Sequence, residues 1–245
     1  MNLAQLREFT PARVGLGRAG SGLPTQELLK LQLAHAKARD AVFAKLDARS
    51  LALQMQLVLG GTLGECLLAH SAAPNRDTYL HRPDLGRRLS HDSYQLLTKE
   101  RGQFDAAFII ADGLSAIAVE RHAEPLMESI FRILDSRTWK LTPVVIVEQG
   151  RVAIGDEVAE CLRSSMSVVL IGERPGLSAP DSLGIYLTWN PHRGSTNADR
   201  NCISNIRPGG LSYSVAAQLL LMLMNESRAK KLSGVRLREA AVLGP

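Results

Sequence analysis

Aromatic residues and cysteines are scarce in this sequence. Only 4% of the 245 residues are aromatic, whereas 45% are hydrophobic, so aliphatic side chains must fill the core. The cysteines Cys66, Cys161 and Cys202 are odd in number and widely spaced, with no Cys-x-x-Cys pair and no nearby cluster of Cys and His. This pattern argues against a disulfide framework and against a structural zinc site, and it favours a reducing cytoplasm.

Long apolar segments are also missing. Apolar runs such as residues 144–147 and 219–224 fall far short of the ~20 residues that span a bilayer. Charged residues interrupt residues 1–15, so this stretch lacks the continuous apolar segment of a secretory signal. We therefore expect a soluble protein that is not exported.

The usual catalytic motifs do not occur. The sequence has no Gly-x-Ser-x-Gly elbow, no His-Glu-x-x-His pair and no Walker loop, and its six histidines are scattered. His122 and His192 are isolated, and isolated histidines are more often surface or core residues than acid–base groups. We therefore do not expect this chain to perform chemistry alone.

Residues 1–102 predict a mainly helical region. Residues 25–46 have helical apolar spacing, with Thr25 as a plausible N-cap, and residues 50–69 predict helical packing with a break at their glycines. Residues 73–89 are rich in arginine, proline and glycine, which is typical of an ordered surface segment. A further helix is expected to end near Gly102.

Residues 103–245 predict a different architecture, because short apolar runs alternate there with helical patterns. Strands are expected at residues 106–111, 143–147, 167–171 and 182–189, and helices at residues 115–134, 156–163 and 213–230. The last helix would be capped by Ser212 and would close near Gly234. This alternation predicts an α/β fold with a mostly parallel, Rossmann-like sheet covered by helices.

Polar clusters follow three of the expected strands, at residues 112–115, 148–152 and 172–176. Each cluster by itself is typical of a turn with an N-cap. Because a parallel sheet gathers the carboxyl ends of its strands at one edge, we expect all three to face one crevice. Residues 199–207 read as an irregular segment that either satisfies its own backbone or binds a ligand with many amides.

Residues 15–20, Gly-Leu-Gly-Arg-Ala-Gly, match the dinucleotide-binding fingerprint, and Asp40 lies where the ribose-binding acid is expected. The context does not fit, because no strand is expected before the motif and Pro24 separates it from the next helix. A glycine-rich loop at a subunit contact is the favoured interpretation. The alternative is a stand-alone nucleotide-binding α/β enzyme, which would bind nucleotide without a partner protein.

A basic nucleic-acid-binding module is a second alternative. The net charge is +5, and Arg82, Arg87 and Arg88 cluster in one segment. Binding by such a module would weaken steeply with added salt. A modest charge excess spread over 29 basic residues is weak support for this interpretation.

Five segments together resemble the small subunit of ethanolamine ammonia-lyase in their order and spacing. They are residues 82–89 (RPDLGRRL), 112–115 (DGLS), 150–152 (GRV), 172–176 (GERPG) and 202–206 (CISNI). The resemblance extends from about residue 10 to about residue 234, and the combination is specific although each motif alone is weak.

The resemblance implies an accessory, non-catalytic subunit of a carbon–nitrogen lyase that deaminates ethanolamine to acetaldehyde and ammonia with adenosylcobalamin. It implies an obligate large subunit that binds ethanolamine, with cobalamin between the two chains, in a hetero-oligomer of repeated large–small pairs. Residues 1–102 would then carry subunit-contact segments. Some relatives have a long amino-terminal extension that is associated with packaging in a bacterial microcompartment for ethanolamine utilisation.

The resemblance also implies three cobalamin contacts, Val152, Glu173 and Cys202. The corrin rim carries amide groups whose N–H bonds need acceptors. The Glu173 carboxylate, or a main-chain carbonyl at Val152 or Cys202, can provide them. No residue of this chain is expected to ligate a metal. The Asp-x-His-x-x-Gly pattern, by which one family of cobalamin proteins replaces the cofactor's own base with a histidine, is absent, and this absence together with the resemblance favours base-on binding.

Overall fold

A six-stranded mixed sheet organises the chain in this computed structural model, which describes residues 5–10, 12–59 and 63–237. The strand order is β1-β3-β2-β4-β5-β6. The first four strands in this order are parallel, and β5 and β6 join antiparallel at one side. The strands are β1 (Leu67–His70), β2 (Ala107–Ala111), β3 (Val145–Glu148), β4 (Met166–Gly172), β5 (Leu183–Trp189) and β6 (Arg200–Ile206).

Seven α-helices are described, and they pack on both faces of the sheet. They are α1 (Thr25–Phe43), α2 (Ala48–Leu59), α3 (Arg76–His81), α4 (His91–Lys99), α5 (Ala116–Ile133), α6 (Ile154–Leu162) and α7 (Tyr213–Lys230), with short 3-10 helices at Gln5–Glu8, Leu85–Arg87 and Asn197–Asp199. None of the helices in the described ranges is both long enough and apolar enough to cross a membrane.

Two hydrophobic clusters form the core, one on each face of the sheet. Side chains alternate between the two faces along a strand. Phe108 of β2 therefore belongs to the cluster that includes α2, α5 and α7, whereas the next residue, Ile109, belongs to the cluster that includes α6. All five β2 residues are fully buried, which explains their continuous apolar sequence. The α6 side of β5 and β6 is less covered, since Tyr186 is half-buried and Cys202 is exposed.

Most elements predicted after residue 103 are confirmed. The strands at 106–111, 143–147, 167–171 and 182–189 correspond to β2, β3, β4 and β5 within two residues, and α7 has the predicted bounds. Ser115 and Ser212 are N-caps, since their hydroxyls accept hydrogen bonds from the amides of Ala118 and Val215. The α/β fold with a mostly parallel sheet after a largely helical region is confirmed.

Two predicted element types are wrong. Residues 67–70 form strand β1, whereas helical packing was expected over residues 50–69, because a short apolar run does not distinguish a strand from a buried helix. Residues 200–206 form strand β6, whereas an irregular segment was expected. Its amide and hydroxyl side chains are poor strand formers, and pairing with β5 decides its conformation.

Smaller corrections concern the first hundred residues. Thr25 is the first residue of α1 and Pro24 occupies the N-cap position, without a side-chain cap. The segment at residues 73–89 was expected at the surface, but its Arg76 and Tyr79 are buried. Because β1 pairs with β3, the sheet also includes residues from before the proposed boundary at residue 102. The division into two regions there stays a prediction.

Candidate functional site

The three polar clusters meet at the carboxyl ends of β3, β2 and β4. Asp112, after β2, accepts hydrogen bonds from the backbone N–H groups of Gln149 and Gly150, both at 3.0 Å. The N–H of Leu114 donates to the carbonyl of Gly172 at 3.0 Å, which connects β2 to β4. The structure thus confirms one crevice at this edge of the sheet.

A cavity of 420 Å³ opens in this crevice. Gly113 and Gly172 allow the strand ends to approach closely, since a Cβ at Gly113 would lie 2.2 Å from the Gly172 carbonyl oxygen. The φ of Gly113 is +59°, a conformation that L side chains rarely adopt. The cavity is lined by Tyr79, Gly113, Leu114, Arg151, Val152, Ile171, Gly172, Glu173, Arg174 and Tyr186.

A larger cavity of 690 Å³ adjoins the first, and Arg151 and Val152 line both. Val152 therefore stands in the wall between the two spaces. The remaining lining of the larger cavity is Asp84, Arg87, Arg88, Ala153, Asp156, Glu157, Arg193, Gly194, Ser195, Thr196, Asn197 and Arg200. With Arg151, five arginines face three carboxylates, so this cavity is positively charged.

Glu173 is the first residue after β4 and is half-buried. Its Oε2 accepts the backbone N–H of Asn205 at 3.1 Å, which ties the end of β4 to β6. A Cβ at Gly184 would come within 3.0 Å of Oε1, so a glycine there leaves room for this carboxylate. Because an ionised carboxylate can accept about four hydrogen bonds, Glu173 retains acceptor capacity towards the cavity.

Cys202 lies on β6 directly opposite Tyr186 on β5. Its thiol is exposed and is not among the groups that line the 420 Å³ cavity, but Tyr186 is. Burial, and next the neighbouring Cys202, raise the pKa of Tyr186, so its phenol stays protonated and can donate a hydrogen bond. The structure thus brings Val152 and Glu173 to one cavity and Cys202 to its border.

Tyr79 is a site residue that sequence reasoning missed. It lines the 420 Å³ cavity, and its hydroxyl donates to the Gly150 carbonyl at 3.2 Å. The guanidinium groups of Arg76 and Arg151 lie 4.7 Å and 4.4 Å from the ring centroid. Burial raises the pKa of Tyr79. A large apolar ring inside an arginine-rich segment is the signal that could have indicated a buried anchor.

Asp112 is fully buried. Burial raises its pKa to about 6, although Arg76 and the backbone N–H groups of Gln149, Gly150 and Gly113 act in the opposite direction. The Arg76 guanidinium and the two backbone N–H donors face the carboxylate oxygens, so the geometry stabilises the ionised form. Asp112 accepts one backbone N–H on each of its two oxygens, whereas an amide side chain has only one acceptor oxygen.

The arrangement is suited to binding a ligand by hydrogen bonds. In the described part of the chain, no group of three or more His, Cys, Asp or Glu side chains could hold a metal ion. His122 lies outside the crevice, with its Nδ1 2.8 Å from the Tyr213 hydroxyl, and burial lowers its pKa. The crevice offers hydrogen-bond acceptors, arginines and the protonated phenol of Tyr186 beside apolar side chains, a composition typical of cofactor sites.

Comparisons with known proteins agree on one family. The family model described as "Ethanolamine ammonia-lyase light chain (EutC)" matches residues 1–238. The chain is 53% identical over 240 residues to the ethanolamine ammonia-lyase small subunit of Pseudomonas aeruginosa, covering 96% of this chain and 86% of that protein. It is 54% identical over 241 residues to the small subunit of Azotobacter vinelandii, covering 97% and 88%. Over 240 residues it is 54% identical to that of Ralstonia nicotianae, covering 96% and 87%. The chain therefore belongs to the family of ethanolamine ammonia-lyase small subunits, which are accessory chains of a lyase and imply a large partner subunit.

Proposed function

We propose that this chain helps to bind adenosylcobalamin at the interface with the large subunit of ethanolamine ammonia-lyase. The observation that carries the proposal is that Val152 and Glu173 line one cavity at the carboxyl ends of the parallel strands, with Cys202 at its border. Open α/β sheets bind ligands at this edge. The large subunit would bind ethanolamine and carry most of the chemistry, in a hetero-oligomer of repeated large–small pairs.

The residues of the crevice fit the chemistry of a corrin. Its rim amides need acceptors, and Glu173 keeps lone pairs available after it has accepted the Asn205 N–H. Val152 offers an apolar surface between two adjoining cavities, which suits a flat ligand too large for either one alone. The half-covered face of β5 and β6, with Tyr186 and Cys202, extends the same surface.

This chain's own part would be to bind the cofactor, to orient it and to exclude water from the site. When bound, adenosylcobalamin supplies the radical that abstracts a hydrogen from ethanolamine, in the reaction that yields acetaldehyde and ammonia. Glu173 is the one carboxylate that lines the 420 Å³ cavity in the described residues, and it already holds a backbone amide.

We also propose a cytoplasmic location, and packaging in a microcompartment stays a prediction.

Glu173→Gln should weaken cobalamin binding. Gln keeps one oxygen, which can still accept the Asn205 N–H, but replaces the other acceptor by an NH2 donor. We expect a loss of about 1.5–3 kcal/mol, or roughly one to two decades in affinity. The measurement is a titration of cobalamin into the complex reconstituted with the large subunit, together with a thermal melt of each form.

Glu128→Gln is the matched control, because Glu128 is exposed on α5 and lies outside both cavities. It should leave the affinity unchanged. If Glu173→Gln lowers the melting temperature and leaves the affinity at the original value, Glu173 is a structural residue and has no cofactor role.

Arg87 and Arg88 should contribute to assembly with the large subunit. Both are exposed, and no hydrogen bond or ion pair of either side chain occurs in the described residues, whereas Arg82 pairs with Asp84 at 2.7 Å. Two exposed guanidinium groups that form no ion pair in the described residues suit contacts to acidic groups of a partner surface. Arg87→Ala with Arg88→Ala should therefore weaken co-purification with the large subunit at matched salt.

Arg132→Ala with Arg137→Ala removes the same two positive charges elsewhere on the surface and should leave assembly intact. Both control arginines are exposed and pair only with neighbouring carboxylates in the described structure. Equal recovery of the large subunit with both double variants would show that Arg87 and Arg88 have no role at the interface.

A further inference from the structure

We propose that Asp112 and Arg76 are positioning residues that hold residues 149–152, and thereby Val152, in the geometry that binds cobalamin. This inference rests on the proposed function. Neither residue lines either of the two cavities, so any effect on the cofactor must act through the residues that they hold. Both side chains are buried, with 5% of the Arg76 side chain and 1% of the Asp112 side chain exposed.

The Asp112 carboxylate anchors the start of the segment. Its Oδ2 accepts the N–H of Gln149 and its Oδ1 accepts the N–H of Gly150, each at 3.0 Å. Gln149 has a φ of +55°, in the left-handed region that is unfavourable for a residue with a Cβ. The backbone therefore needs an external constraint here, and the two hydrogen bonds to Asp112 provide one.

Arg76 fixes Asp112 and the neighbouring loops together. Its Nη1 lies 3.5 Å from Asp112 Oδ2 and donates to the Gly113 carbonyl at 2.8 Å, and its Nε donates to the Val42 carbonyl at 2.7 Å. The Gln149 side-chain oxygen lies 3.4 Å from the same Nη1. A single buried guanidinium thus connects α1, the end of β2 and the segment that follows β3.

The middle of the segment is held from the other side by α3 and the 3-10 helix after it. Tyr79 donates to the Gly150 carbonyl, and the N–H of Arg151 donates to the Gly86 carbonyl at 2.7 Å. A Cβ at Gly86 would lie 2.8 Å from Cγ of Arg151, so this glycine permits the contact. Val152 follows these anchored residues and forms part of the wall of both cavities.

Asp112→Asn tests the proposal in the complex with the large subunit. Asn offers one acceptor oxygen and turns an NH2 group towards the other backbone N–H, so one of the two anchors is lost. We expect the dissociation constant of adenosylcobalamin to rise roughly tenfold, the effect of about one hydrogen bond. Amide exchange at Gln149 and Gly150 should become faster, and kcat at saturating cofactor should stay near the original value.

Asp105→Asn is the matched control at the opposite end of β2. Asp105 also accepts a backbone N–H, that of Lys140 at 2.8 Å, and a guanidinium, that of Arg228 at 3.1 Å. A general loss of stability would affect both variants, whereas only Asp112→Asn should change the cofactor's dissociation constant. If Asp112→Asn does not assemble with the large subunit, the cofactor's dissociation constant is measured for Arg76→Lys instead. Lys keeps the positive charge but lacks the planar guanidinium that donates to several acceptors at once.

The outcomes separate the two proposals. If the dissociation constant of Asp112→Asn is unchanged, the positioning role is wrong and the proposed function stays intact. The same conclusion follows from an unchanged dissociation constant of Arg76→Lys, when Asp112→Asn does not assemble. A rise of equal size in Asp105→Asn also overturns the positioning role. If the unsubstituted complex shows no change in absorbance on titration with adenosylcobalamin and no activation by it, both proposals are wrong.

Discussion

The purified chain, mixed with ethanolamine and adenosylcobalamin, is expected to release no acetaldehyde until the large subunit is added. The side chains that line the 420 Å³ cavity are suited to hold a ligand, because Glu173 keeps acceptor capacity beside its bond to a backbone amide and burial raises the pKa of Tyr186. A proton-transfer residue would need a pKa near the working pH. The expected difference in rate between the single chain and the complex is therefore the largest effect that we predict.

The assay needs the chain purified after expression in cells without a large subunit, so that traces of complex do not contribute. Acetaldehyde is measured before and after stoichiometric addition of the separately purified large subunit. The same additions to a chain with Glu173→Gln should restore activity only at higher cofactor concentration. Turnover by the single chain at a rate comparable to that of the complex would contradict the accessory role.

Arg200→Ala should destabilise the fold by about 3–5 kcal/mol, which is typical when one partner of a buried ion pair is removed. Both Nη atoms of Arg200 contact the two carboxylate oxygens of Asp156 at 2.6 Å, and each side chain is only 4% exposed. Burial raises the pKa of Asp156 and Arg200 lowers it. Without the guanidinium, a buried carboxylate is left without its counterion, and β6 loses its connection to α6.

Urea denaturation of the single chain measures this effect. Glu128→Ala, which breaks the exposed pair between Glu128 and Arg132, is the control and should cost only about 0.3–0.5 kcal/mol. A double variant, Asp156→Leu with Arg200→Met, should recover most of the lost stability, because apolar residues of similar volume can replace a buried pair. If Arg200→Ala unfolds at the original urea concentration, the pair does not stabilise the protein.

The candidate site could be predicted in part, because parallel strands bring the residues after them to one edge. The polar clusters after β2, β3 and β4 are visible as short polar runs behind buried apolar runs, and Val152 and Glu173 belong to two of these clusters, although it was the family resemblance that singled out the two residues. The position of Cys202 beside Tyr186 could not be derived in this way. Residues 200–206 lack the alternation of large apolar and polar residues that marks a strand, so their pairing with β5 was missed.

The sequence by itself determined the α/β class, the bounds of α7, the strand ends that form the crevice, and the family resemblance. These features are local, since they depend on periodicity, caps and short motifs. Only the tertiary structure decided that Tyr79 lines the crevice, that Arg76 binds the Gly113 carbonyl beside it, and that Asp156 meets Arg200 across 44 residues of sequence. Such contacts have no local signal. In the sequence, an arginine that is buried beside a carboxylate cannot be distinguished from an arginine at the surface, where most arginines lie.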